Sequence, residues 1–266
     1  MFIKYCKDRV KTLDFILIMG LFFVLGFLIG IYFTFLNFSL RNLLMSYCAA
    51  ILVPIGLLII EYIFKMKFTL ITLLMAVFVC IGGMFIGPMF DMFVKTIWFD
   101  KLLHLISGMF IFFCGYSLSS RVLDKNKKLY KIYCLFFAAT FTIFLLNLWE
   151  IYEYICTKFL GLDMQDDRLI TEIGSTYLAQ SNNFVMHLYN IVKTVIYHVN
   201  NEVYVIEGGY LDIGLYDTLE DILIGFVGII IGSLILLINQ KLLFKNKNLF
   251  VPSGFNVTNN NIEYKE

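Results

Sequence analysis

Three short stretches of this chain combine residue types and spacings that suit metal or acid–base chemistry. FDKLLHLISG places Asp100 and His104 four residues apart, YDTLEDILIG does the same for Asp217 and Asp221, and WEIYEYI sets Glu150 and Glu153 three apart. On a helix, residues at i and i+3 or i+4 share a face. Each stretch therefore presents two ionisable groups side by side. Carboxylates with one imidazole suit a divalent cation such as Mg²⁺, Mn²⁺ or Zn²⁺. The expected ligands are Asp100, His104, Asp217 and Asp221, with the Asp217/Asp221 pair the stronger signal. Glu150, Glu153 and His104 are the expected acid/base groups. A bound metal would hold a phosphate group or activate water. The same cluster would also suit proton or cation movement, or a hydrogen-bonded network that only fixes the fold.

The elements that carry these residues are membrane helices. Of 266 residues 60% are hydrophobic and only 15% are charged, and there are 28 Phe and three Pro. That is more apolar and far less charged than a soluble globular chain. A membrane span needs about 20 apolar residues. Segments 14–36, 43–64, 68–87, 129–157 and 217–239 qualify, and 101–118 is a shorter candidate. The expected fold is an all-α membrane bundle of about six helices. Ionisable groups inside such helices are expensive and point to function. Glycines follow the polar pairs at helical spacing, Gly108 and Gly115 in one helix and Gly225, Gly228 and Gly232 in another. Glycine stripes let membrane helices approach closely, which would turn the polar pairs inward.

Charge sets the expected orientation. With the N-terminus inside, the inner segments hold Lys4, Lys7, Arg9, Lys11, Lys65, Lys67, Arg121, Lys125, Lys127, Lys128, Lys131, Lys241, Lys245, Lys247 and Lys265. That is most of the chain's 21 basic residues, so the positive-inside rule places both termini in the cytoplasm. Most carboxylates fall on the other side, including all those singled out above. The net charge of +1 gives no field for nucleic acid. No phosphate-binding glycine loop or nucleophile elbow is present. The six cysteines form no CxxC pair and imply no disulfide framework.

Residues 1–247 read as the transmembrane bundle, including an extracytoplasmic loop over 158–215. Phe184, Leu188, Ile191, Val192, Val195 and Val199 recur at helical spacing, which predicts an interfacial helix near 183–199. Residues 248–266 read as a flexible cytoplasmic tail.

The ordered set FDKLLHLISG, WEIYEYI and YDTLEDILIGFVGIIIG resembles YjdF-like bacterial inner-membrane proteins. It is similar, more distantly, to VanZ-like membrane proteins. Asp100, Lys101 and His104 fit the first element of that pattern, Glu150 or Glu153 the second, and Asp217 and Asp221 the start of the third. Ile224 stands where VanZ-like proteins tend to carry Asn. The resemblance covers about half the chain and implies a multi-pass plasma-membrane protein acting in the cell envelope, with no reaction attached. The expected partners are the lipid bilayer and a lipid or other envelope molecule. The competing expectations are a proton- or cation-linked transporter and a non-catalytic scaffold.

Overall fold

The computed structural model describes residues 2–35, 40–126, 128–162, 164–179, 183–238, 249–258 and 261–265. It divides into two compact units, residues 1–147 with 222–266, and residues 148–221.

The first unit is helical. Helix α1 (Phe2–Arg9) is followed by α2 (Leu13–Phe35) after a bend of 86°, then α3 (Leu40–Ile63), strand β1 (Met66–Lys67) and α4 (Leu70–Ile81). Thr69 caps α4, its hydroxyl accepting from the amide of Thr72 at 3.3 Å. The helix then widens into a π-turn over Gly82–Ile86 and breaks into the short helices α5 (Gly87–Phe90) and α6 (Met92–Lys95). The long helices α7 (Ile97–Val122), α8 (Tyr130–Ile155) and α9 (Leu215–Ile238) follow in sequence; α8 continues through a π-turn to Leu160. One core cluster joins Phe22, Leu57, Leu73, Val77 and Cys114. Another joins Phe112 and Phe113 with Cys134, Ala138, Ile229 and Leu236, tying α7 to α8 and α9.

All six apolar segments named from sequence contain helix. Among the described residues, three helices are long and apolar enough to cross a membrane: Ile97–Val122, Tyr130–Leu160 and Leu215–Ile238. The bent pair of α1 with Leu13–Leu28 makes a fourth if counted as one span. The segment expected to span over 68–87 is a shorter apolar helix, Leu70–Ile86, its end a π-turn. Lys127, Lys241, Lys245 and Lys247, used above for orientation, lie outside the described residues.

Two expectations are corrected. The tail 248–266 is not frayed where it is described. Strands β8 (Ser253–Thr258) and β9 (Asn261–Lys265) form a hairpin that adds to β1, with Met66 opposite Gly254. Phe255 is 1% exposed; its ring stacks on Tyr5 at 4.8 Å and its amide donates to the carbonyl of Lys65 at 3.0 Å. The Ser117 hydroxyl donates to the carbonyl of Pro252 at 2.7 Å. Burial of Phe255 and Val251 gives this segment an apolar anchor that outweighs chain-end fraying.

The helix expected over 183–199 is also absent. The second unit, beyond the end of α8, carries β2 (Arg168–Ile170), β3 (Ile173–Ser175), β4 (Met186–Leu188), β5 (Lys193–Tyr197), β6 (Val203–Glu207) and β7 (Tyr210–Asp212). They pair antiparallel as β2–β7, β3–β4 and β5–β6. The β-branched and aromatic runs Thr194-Val195-Ile196 and Val203-Tyr204-Val205-Ile206 favour strands. Asn190 and Asn201 adopt positive φ (57° and 64°), a conformation Asn tolerates and turns require. The fold is therefore a helical bundle bearing small β-hairpins, not an all-α chain.

Candidate functional site

In the first unit, Asp100 and His104 lie in the opening turns of α7. The imidazole Nε2 stands 3.7 Å from an Asp100 carboxylate oxygen, and the Lys101 ammonium 3.7 Å from the other. These separations are electrostatic contacts, longer than a hydrogen bond. One turn below His104, Gly108 meets α9. A Cβ on Gly108 would stand 2.6 Å from the carbonyl oxygen of Gly225, and one on Gly228 would collide with the carbonyl oxygen of Leu105. A Cβ on Gly232 would stand 2.9 Å from the Phe112 ring. On the α8 side, a Cβ on Gly115 would lie 3.0 Å from Cα of Ala138, and one on Gly225 would strike Leu146. The glycines let α7, α8 and α9 approach almost backbone to backbone, and the ionisable residues sit within a turn or two of these contacts along each helix.

The second unit begins with the last turns of α8 and ends with the first turns of α9. Glu150 and Glu153 lie on α8, and the Trp149 indole donates to Glu153 at 2.7 Å. On α9, the Asp212 carboxylate accepts from the amide of Tyr216 at 2.8 Å, capping the helix N-terminus as Asp commonly does. Asp217 accepts from the backbone amide of Asp166 at 3.0 Å and from the Arg168 guanidinium at 3.2 Å. The same guanidinium nitrogen lies 3.4 Å from Glu220. Gln165 donates to the Thr218 hydroxyl at 2.9 Å. Pairing of β2 with β7 sets Arg168 opposite Asp212, which carries the guanidinium to the α9 end. A strap over 165–168 is thereby fastened across the first turn of α9.

Burial separates the candidates from ordinary surface acids. His104, Glu150, Glu153, Asp217 and Asp221 are each at most 6% exposed, although ionisable residues are rarely buried without a partner or a task. Within the first unit, Asp100 and His104 each offer a donor atom of a kind that binds metal ions.

Two features escaped the sequence reading. Arg168 received no role there; its place in the run Asp166-Asp167-Arg168, a cation amid many acids, was the available signal. The second is an ionic knot at the start of the chain. Arg9 and Glu61 are both fully buried and pair at 2.9 Å. Glu61 also accepts from the Tyr5 hydroxyl at 2.7 Å and the Phe68 amide at 2.8 Å, while Arg9 reaches Thr12 and Asp14 at 2.8 Å each. Glu61 is an intramembrane acid by sequence, which was its signal.

A family model described as a predicted membrane protein (DUF2238) matches residues 15–242. Searches among curated proteins and among solved structures returned no match.

Proposed function

The chain belongs to this family of predicted membrane proteins, and from that premise we propose that it is a multi-pass plasma-membrane protein whose buried acidic and histidine groups form a divalent-cation centre. The centre serves to hold a polar or phosphorylated envelope molecule at the extracytoplasmic face. The observation that carries this reading is the burial of His104, Glu150, Glu153 and Asp221 on helices apolar enough to cross a bilayer. Within the first unit, Asp100 and His104 support it, with Nε2 of the imidazole 3.7 Å from the carboxylate. Oxygen donors with one imidazole fit Mg²⁺, Mn²⁺ or Zn²⁺, and such a cation would bind phosphate oxygens or lower the pKa of a bound water.

In this reading Asp100, His104 and Asp221 are ligands, and Glu150 and Glu153 are further ligands or acid/base groups. Asp217, a ligand candidate by sequence, becomes a positioning residue because it fastens the 165–168 strap. Six spans with cytoplasmic termini remain the topology proposed, on the distribution of Lys and Arg. The likeness of the motif order to YjdF-like and VanZ-like proteins supports an envelope role.

Metal content of the detergent-purified protein, read by mass spectrometry, tests the proposal. The wild type should carry near-stoichiometric metal after incubation with Mg²⁺, Mn²⁺ or Zn²⁺. His104→Ala and Asp221→Asn, matched for thermal stability, should lose it. A wild type that retains none of the three metals would overturn the centre and leave a structural network.

A further inference from the structure

The second unit holds an apolar surface that the proposed centre does not use. Strands β5 and β6 form a hairpin in which Tyr197 faces Val203 and Val195 faces Val205, while Ile196 faces Tyr204 across the opposite face. Side chains on both faces are exposed; Tyr197 is 80% exposed, and Val199 in the turn is 87% exposed. An isolated two-stranded hairpin is marginal in water, and an apolar one with open edges invites association. A surface of this kind marks a contact with something outside the chain.

We infer that the β5–β6 hairpin lies in the headgroup layer of the lipid bilayer. The chain enters and leaves this unit through two helices apolar enough to cross a bilayer. Helix α8 with its π-turn runs 31 residues to Leu160, about 46 Å at 1.5 Å per residue. That exceeds a hydrocarbon core of about 30 Å and reaches the full bilayer thickness of about 40–45 Å with headgroups. The final turns of this helix still expose Tyr152, Tyr154, Phe159 and Leu160. Ile213 and Leu215, which join β7 to α9, are exposed as well. Exposed apolar side chains therefore continue along the chain from the helix ends into the unit that holds the hairpin.

Chemistry selects the same occupant. Tyrosines with branched aliphatic side chains suit the membrane–water interface, where one end of the ring is apolar and the other wet. Charge on the paired strands is confined to Lys193 opposite Glu207 at the hairpin root. A second copy of this chain is a poorer occupant. Residues 148–221 carry twelve carboxylates against three cations, Lys158, Arg168 and Lys193, so two such units brought face to face would repel. A zwitterionic headgroup layer imposes no such cost.

Tryptophan fluorescence in phosphatidylcholine nanodiscs decides the point. Tyr197→Trp and Tyr204→Trp, one on each face, are each placed in the full chain with Trp98→Phe and Trp149→Phe. The same substitutions in the chain that keeps both native tryptophans, read as differences, guard against a folding defect from Trp149→Phe. The expected result is emission quenched by phosphatidylcholine brominated near the headgroup and protected from aqueous iodide. Iodide quenching at both positions without bromolipid quenching would overturn the inference. Protection from both quenchers would overturn it too, and would assign the hairpin to a protein partner. Metal content does not enter the readout, so this result stands or falls separately from the cation centre.

Discussion

The ionic knot around Arg9 and the acid-rich residues at the ends of α8 and α9 are both polar clusters in an apolar protein, yet they are built differently. The knot contains its own cation. Glu61 accepts from the Arg9 guanidinium, the Tyr5 hydroxyl and the Phe68 amide, and the remaining guanidinium reach goes to Thr12 and Asp14. Donors and acceptors match within a few residues of helix ends. In residues 148–221 carboxylates outnumber cations fourfold, twelve to three, and the Arg168 guanidinium is directed to Asp217 and Glu220. A cluster that supplies its own buried cation is suited to holding helices together. A unit with a carboxylate surplus suits a cation supplied from outside.

The largest effect that would test this contrast is expected in the knot. Glu61→Ala leaves the Arg9 guanidinium buried without its main counter-charge, and breaking a buried pair from one side costs about 3–5 kcal/mol. The melting temperature of the detergent-solubilised protein should fall steeply. His104→Ala should cost less, on the order of 1–2 kcal/mol, because it removes a ligand and strands no buried charge of fixed sign. Equal losses for the two variants would show that both clusters are structural and would erase the distinction.

Local spacing made one side of the comparison legible and hid the other. The pairs Asp100/His104 and Asp217/Asp221, and the glycines below them, are four-residue patterns that any helix converts into a shared face. The structure packs Gly108, Gly225 and Gly228 at the helix contacts for which glycine is suited. The knot joins residues 52 positions apart, and the strap joins Arg168 to Asp217 across 49. No periodicity encodes such pairings. The hairpins were hidden for another reason. Apolar residues from Phe184 to Val199 fit a helical period by position, but β-branching and turn-forming asparagines decide the local structure. In the tail, Phe255 and Val251 were a burial signal that proximity to the chain end obscured.

An intermediate effect is expected where α7 and α9 touch. A methyl group on Gly228 meets the Leu105 carbonyl oxygen and the Met109 amide, both backbone atoms that cannot turn aside. Gly228→Ala should therefore push the helices apart and cost about 1–3 kcal/mol, as overpacking does. Gly56→Ala, where nothing lies within 4 Å, should leave the melting temperature essentially unchanged. If the contrast between the regions is right, Gly228→Ala should also weaken metal retention, because it shifts the helices that carry His104 and Asp221. A variant that melts early but binds metal normally would separate the glycine contact from the centre.

The smallest expected effect sharpens the comparison most. Asp217→Asn keeps an oxygen to accept from the Asp166 amide but removes the charge that holds Arg168. Asp217 is buried, but Arg168 is partly exposed and keeps Glu220 at 3.4 Å, so the loss should be about 1 kcal/mol, too little to move the global melting temperature far. Its signature is local: amide hydrogen exchange across 165–170 should quicken while metal content stays at the wild-type level. Asp221→Asn should behave oppositely, with metal lost and exchange in the strap unchanged. Loss of metal from both variants would return Asp217 to the ligand set that its spacing with Asp221 first suggested.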